Sequence, residues 1–161
     1  MGVAITLQQV LYNRLSADNM FNGALSANGA AIPIIQEVKG DVQNQVKTAL
    51  SKLGVCVVIL VPLFQLFDPY LWSTAGWMKF GLDVFEDVLF NANSTQVKAP
   101  DICERILSLM QKWPTGSVNA PNGEPATFRG NSVPWAYVSV GPPVHYLVNL
   151  QAEVKLPQSQ P

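Results

Sequence analysis

Charged residues are scarce in this sequence. Only 13% of its 161 residues are Asp, Glu, Lys or Arg, against about 25% in an average soluble domain, whereas 48% are hydrophobic. The ten basic residues are scattered singly and the net charge is −1. No basic face can therefore gather phosphates, which argues against nucleic-acid binding as the primary function. So little charge also indicates that part of the surface is covered by partners.

Residues that build catalytic and metal sites are equally few. The chain has two cysteines, Cys56 and Cys103, and a single histidine, His145. No phosphate loop, dinucleotide fingerprint, zinc-ligand spacing or Gly-x-Ser-x-Gly turn occurs in it. The sequence therefore predicts a protein that is not an enzyme, with no catalytic residue, no cofactor, no metal, and both cysteines reduced and buried.

Three acidic residues close together, Asp83, Glu86 and Asp87, do not change this prediction. Asp83 and Asp87 lie roughly 13 Å apart if the segment is a strand, too far to share one ion. We interpret the three as charges on an exposed part of that strand.

No segment has the length of a membrane-spanning helix. The longest apolar run, 53–67, contains Pro62 and Gln65 and falls short of the ~20 residues that such a helix needs. The first ten residues lack the basic region and apolar core of a secretory signal. We therefore expect no membrane partner.

Two segments show the periodicity of amphipathic helices, 41–53 and 100–113. In both, apolar residues recur at offsets that lie on one side of a helix. They are Val42, Val46, Ala49, Leu50 and Leu53 in the first and Ile102, Ile106, Leu109, Met110 and Trp113 in the second. A shorter helix is predicted within 1–30, and the rest of that segment is a connection.

Strand patterns occupy much of the remainder. Residues 55–61 form a continuous β-branched run, typical of a strand buried on both faces. Residues 79–91 alternate over a length of ~40 Å at 3.3 Å per residue, which predicts a projecting hairpin arm or a bulge near Glu86. Two final strands, 135–140 and 144–154, are predicted to form a hairpin.

Together these elements predict an α+β fold. We expect a single domain over 1–161, with a mixed, mainly antiparallel β-sheet and two or three amphipathic helices packed on it. The Pro/Gly-rich stretch 114–134 is predicted to be a loop, and 156–161 a flexible tail.

The connection 62–78 is unusually aromatic. Its length and its rings would leave a large apolar patch in water, whereas protein interfaces are enriched in Trp, Tyr and Phe. With Phe85 of the following strand, the candidate interface residues are Phe64, Phe67, Tyr70, Trp72, Trp77 and Phe85. The alternative is that these rings pack back on their own sheet.

The order of these elements resembles the tail terminator, or tail completion, proteins of long-tailed bacteriophages. The likeness is carried by the sequence ALSKLGVCVVILVP at 49–62, then by 90–93, 99–113 and 146–153. It is one of pattern over about three quarters of the chain and includes no diagnostic motif.

The resemblance implies a structural virion protein at the head-proximal end of the tail, assembled in the host cytoplasm. Such proteins form a homohexameric ring that caps the tail tube, stops its polymerisation and joins it to the head–tail connector. The implied partners are other copies of the chain, the tube protein and the connector protein. Genomic DNA would pass through the lumen without specific binding.

Three alternatives remain open at this point. One is another head–tail connector, neck or baseplate subunit. Another is a monomeric module that binds a small ligand between Trp72, Trp77 and Trp135. The last is a hydrolase that pairs Cys56 or Cys103 with His145.

Overall fold

The computed structural model describes residues 2–157 and contains four α-helices and seven strands. They are α1 Val3–Ser16, β1 Ile34–Gln36, α2 Val42–Lys52, β2 Val55–Ile59, β3 Leu63–Leu66, β4 Ala75–Glu86, α3 Val88–Asn91, α4 Ala99–Met110, β5 Pro114–Asn119, β6 Pro125–Ser139 and β7 Val144–Lys155. A short 3-10 turn, Glu37–Lys39, follows β1. None of the helices described is long and apolar enough to cross a membrane.

All seven strands belong to one curled sheet. Its order is β1-β2-β4-β7-β6-β5, and β3 also pairs with β4. Only β1 and β2 are parallel, and every other pairing is antiparallel. The predicted α+β class, with one domain and a mixed, mainly antiparallel sheet, is confirmed.

The alternation of side chains along the central strands divides them between two cores. Val57 of β2, Leu82 of β4 and Val148 of β7 lie on one face of the sheet with the apolar stripes of α1 and α4. Cys56 and Val58 lie on the opposite face, where α2 packs. We call these the helix face and the outer face. β2 is buried over its whole length, as its β-branched run predicts.

Both predicted amphipathic helices form, as α2 and α4. In α4, Ile102, Ile106 and Met110 are completely buried against the sheet. Trp113, the last member of the predicted stripe, lies beyond the end of this helix. There the guanidinium of Arg14 sits 3.7 Å from the centroid of its ring.

The prediction of a loop over 114–134 is wrong, because β5 and the first part of β6 lie there. Pro114 and Pro125 are the first residues of these strands, a position that tolerates a missing N–H. Pro134 lies where the register of β6 against β7 shifts. Prolines at such points do not break a sheet.

The two ends of the chain agree in part with prediction. α1 and the connection after it lie within the predicted segment, over the described residues 2–30. Leu156, in the predicted flexible tail 156–161, is instead held by Thr74, whose carbonyl accepts its N–H at 3.1 Å and whose hydroxyl donates to its carbonyl at 2.5 Å. Residues 158–161 lie outside the described part of the chain.

The strand predicted over 79–91 begins and ends earlier, as β4. Asp87 accepts a hydrogen bond from the N–H of Phe90 at 3.2 Å and caps α3, which takes the chain out of the sheet. Our interpretation of Glu86 as an exposed charge is also wrong, since it is only 4% exposed. Its carboxylate accepts from the N–H of Ala99, in the first turn of α4, at 2.8 Å.

Asn91 is the centre of a buried polar network at this end of β4. Its Nδ2 donates to Glu86 at 3.0 Å and to the carbonyl of Val97 at 2.9 Å. Its Oδ1 accepts from the hydroxyl of Thr95 at 2.6 Å. The network joins β4, α3 and the start of α4, and so fixes α4 on the sheet.

Replacing this amide should destabilise the fold. We expect Asn91→Ala to lower the free energy of unfolding by about 2–4 kcal/mol, because it leaves a buried carboxylate, a carbonyl and a hydroxyl each short of a partner. Urea denaturation measures this. The exposed Asn93→Ala serves as control and should change stability by no more than about 0.5 kcal/mol. Equal effects of the two substitutions would contradict the role of the network.

Candidate assembly interface

The connection predicted over 62–78 is largely a β-hairpin. β3 pairs with the first half of β4, with Leu63 opposite Lys79 and Leu66 opposite Gly76. Beyond these rungs the N–H of Phe67 donates to the carbonyl of Ala75 at 3.1 Å. We call residues 63–79 the arm and residues 67–74 the arm tip. The predicted hairpin over 79–91 is wrong: a hairpin forms from this segment instead, and its second strand is also paired with β7, with Ala75 opposite Lys155.

The arm continues the main sheet through a bulge. β2 and β3 pair with the same edge of β4, and Leu60 lies opposite Gly81 while Leu63 lies opposite Lys79. Two residues, Val61 and Pro62, therefore oppose a single residue of β4. A bulge bends a strand, and it accommodates a proline that cannot donate to the ladder.

Side chains from two other elements take the backbone groups that the bulge frees. Gln8 of α1 is 2% exposed, and its Nε2 donates to the carbonyl of Leu60 at 3.0 Å. The carboxylate of Glu37, in the 3-10 turn, accepts the N–H of Val61 at 2.8 Å. These two hydrogen bonds hold the root of the arm.

The two strands of the arm approach closely at Gly76. A Cβ at this position would lie 2.2 Å from the carbonyl oxygen of Gln65 and 2.9 Å from Cζ of Phe64. Only glycine fits such a contact. Its missing side chain lets Phe64 pack against the edge of the larger core.

The predicted interface residues divide between packed and exposed positions. Phe64, Trp77 and Phe85 are half-buried. Trp77 lies on the outer face, edge-to-face with Phe67 at 5.4 Å between centroids, and the guanidinium of Arg129 lies 4.3 Å from its ring. These three rings therefore pack on their own sheet, as in the alternative to an interface.

The arm tip exposes the other rings. Tyr70 is 93% exposed and Trp72 is 96% exposed, and Leu71 between them is 62% exposed. The turn that presents them is ordered by Asp68, whose Oδ1 accepts the N–H of Tyr70 at 2.9 Å. Leu63, 65% exposed on β3, extends the apolar surface toward the root. The two leucines lie outside the predicted interface residues, because the prediction rests on aromatic residues alone.

A second group of exposed apolar side chains lies at the opposite end of the sheet. Leu89 of α3 is 85% exposed, and Val140, in the turn between β6 and β7, is 80% exposed. The register, with Glu86 opposite Val144, brings α3 and this turn to the same end of β4. The long axis of β4 thus has an exposed apolar surface at each end.

His145 lies on the outer face between two side chains of β4. Its Nε2 is 2.7 Å from Oδ1 of Asp83, and its ring stacks on Phe85 with centroids 4.5 Å apart. The register places Phe85 between His145 and Cys56, and Cys103 lies on the helix face. Burial raises the pKa of both thiols to about 12, so neither is a thiolate at neutral pH. The structure does not bring together the proposed Cys–His pair.

Nor do the three tryptophans of the small-ligand alternative converge. Trp77 lies opposite Glu153 on the outer face, whereas Trp135 lies opposite Val148 on the helix face. Trp72 is at the arm tip. The three tryptophans of this alternative therefore do not line one pocket.

Within residues 2–157 no group of three or more His, Cys, Asp or Glu side chains could hold a metal ion.

No model of a known protein family matches the sequence, and a search of the curated proteins finds no match either.

The bond from α1 to the bulge is expected to determine the order of the arm. Gln8→Met keeps the length of the side chain but leaves the carbonyl of Leu60 without its donor, which should cost about 1–3 kcal/mol. Amide exchange at 63–66 should accelerate more than exchange in β7. The neighbouring Gln9→Met, which removes only a bond to the exposed side chain of Asn13, is the control. Unchanged exchange in the arm of the Gln8→Met variant would refute this role.

Proposed function

We propose that this chain is a structural subunit of a phage tail, a tail terminator. Copies of it form a hexameric ring that caps the tail tube, halts the addition of further tube subunits and joins the tail to the head–tail connector. The protein acts by assembly in the virion and not by catalysis. The proposal starts from the resemblance in element order and depends on one observation of the structure, the exposed arm.

The arm supports assembly because water is a poor environment for its tip. A largely exposed Tyr or Trp presents on the order of 150–250 Å² of surface. Tyr70 and Trp72 alone therefore match the largest apolar patches of ordinary monomers, a few hundred Å². The arm is held at its root by Gln8 and by the rungs of β3 and β4. An ordered apolar tip is suited to contact a neighbouring subunit at low entropic cost.

The opposite end of the sheet fits the second requirement of a terminator. A capping ring has to contact the tube and the connector as well as its own copies. Leu89 and Val140 lie at the far end of β4 from the arm. Contacts within the ring and contacts with another virion protein can then use separate surfaces of one subunit.

The weak charge of the chain suits a ring that DNA must cross. Strong phosphate contacts would retard the passage of DNA, and a protein with a net charge of −1 and scattered basic residues makes few of them. This agreement supports the proposal less than the arm does, since many proteins are nearly neutral.

Removing the rings of the arm tip should abolish self-assembly. We expect the wild-type protein to run as a ring of six copies in light scattering, with sixfold rings in electron micrographs. The double variant Tyr70→Ser/Trp72→Ser should be monomeric, because loss of one interface aromatic commonly weakens a contact by about 30-fold or more. The variant should still be folded and unfold cooperatively, since these rings bury little in the monomer.

Leu89→Ser provides the matched control, because it removes an equally exposed apolar side chain from the other end of the sheet. It should leave the ring intact. A wild-type protein that remains monomeric at high concentration would overturn the proposal of self-assembly.

A further inference from the structure

A groove of about 490 Å³ lies between β1 and α2 at the edge of the sheet. Its floor is apolar and includes Ile35 and Ala49, which belong to the smaller core. Thr48 and Lys52 of α2 line one wall and Ile34 lines the other. An apolar floor beneath a polar rim is the composition of a surface that buries a partner's side chains.

The strand beside the groove offers backbone hydrogen bonds as well. β1 is the last strand on this side of the sheet. The N–H of Val57 donates to the carbonyl of Pro33 at 2.9 Å, so the alternation of a parallel ladder directs the N–H and C=O of Ile34 away from β2. A partner that fills the groove can therefore also hydrogen-bond to the exposed backbone of β1.

The arm of the same chain cannot reach this groove. Ile34 lies opposite Val57, and nine residues of β2, the bulge and β3 lie between Val57 and Phe67 at the arm tip. At 3.3 Å per residue this distance is about 30 Å. Because β3 is paired with β4 over its whole length, the arm cannot fold back. The groove and the arm tip therefore remain separately exposed on each copy.

We infer that the arm tip of one copy occupies the groove between β1 and α2 of the next copy. This inference rests on the proposed function and identifies the acceptor of the arm. Two different patches that complement each other make a heterologous contact, which propagates from copy to copy and closes into a ring when the rotation allows it.

The chemistry of the two surfaces agrees with this contact. Tyr70 and Trp72 each combine a large apolar ring with one polar group, which suits an apolar floor bordered by the amide of Asn44 and the hydroxyl of Thr48. The two rings offer on the order of 300–500 Å², a large part of the roughly 800 Å² that each partner buries in a stable interface.

Mixing two defective variants tests the inference. Tyr70→Ser/Trp72→Ser keeps the groove but lacks the rings. Thr48→Arg keeps the arm but fills the groove, and Arg favours a helix more than Thr does. Each variant alone should be monomeric by light scattering. Their equimolar mixture should form a one-to-one dimer and nothing larger, because only one arm and one groove remain intact. Gln43→Arg, on the exposed face of α2 outside the groove, should form rings like the wild type.

The outcomes separate this inference from the proposed function. If the wild type forms a ring that needs Tyr70 and Trp72 but tolerates Thr48→Arg, the groove is not the acceptor and only the inference fails. The inference fails likewise if both variants are monomeric and their mixture stays so, because the intact arm of one variant would then not bind the intact groove of the other. A monomeric wild type overturns both proposals. A cooperative melting transition in each variant would confirm that it is folded.

Discussion

The bulge at Val61 and Pro62 determines what this molecule presents to its surroundings. Without it, β2 and β3 would be one straight strand along β4. With it, the strand bends, and the bend is fixed because Gln8 takes the freed carbonyl and Glu37 takes the freed N–H. The arm is therefore joined firmly to the sheet, and its exposed rings have a defined direction.

Elements with a strong local pattern could be predicted from the sequence. The helices at 41–53 and 100–113 and the buried strand at 55–61 follow from the periodicity of their apolar residues. The strands at 114–134 could not be predicted, because a proline that starts a strand looks the same in the sequence as a proline in a loop. The strand β3 could not be predicted for a related reason. Four residues after a proline give too short a pattern, and the strand exists only because β4 pairs with it.

The candidate interface was predictable in composition but not in detail. The aromatic richness of 62–78 indicated an interface, yet six rings of similar chemistry lie in different environments. On β4, Trp77 points to the outer face beneath Arg129, and on β3, Phe64 points to the helix face over Gly76. Successive side chains of a strand point to opposite faces of the sheet, so the register of the strand decides which face each ring occupies. For β3, the bulge shifts that register by one residue. The groove is harder still to predict, because it is the space left between β1 and α2.

A stiff arm has a consequence for the size of any assembly it builds. When a projection of one copy enters a groove of the next, the rotation between neighbours is set by the angle between the arm and the groove within one chain. That angle is determined here by the bend at Val61 and Pro62 and by the packing of α2 on β1 and β2. A flexible arm would permit many rotations and hence open chains or rings of mixed size. An arm whose root is held by the hydrogen bonds of Gln8 and Glu37 selects one rotation, so the number of subunits in a closed ring becomes a property of the fold of a single copy.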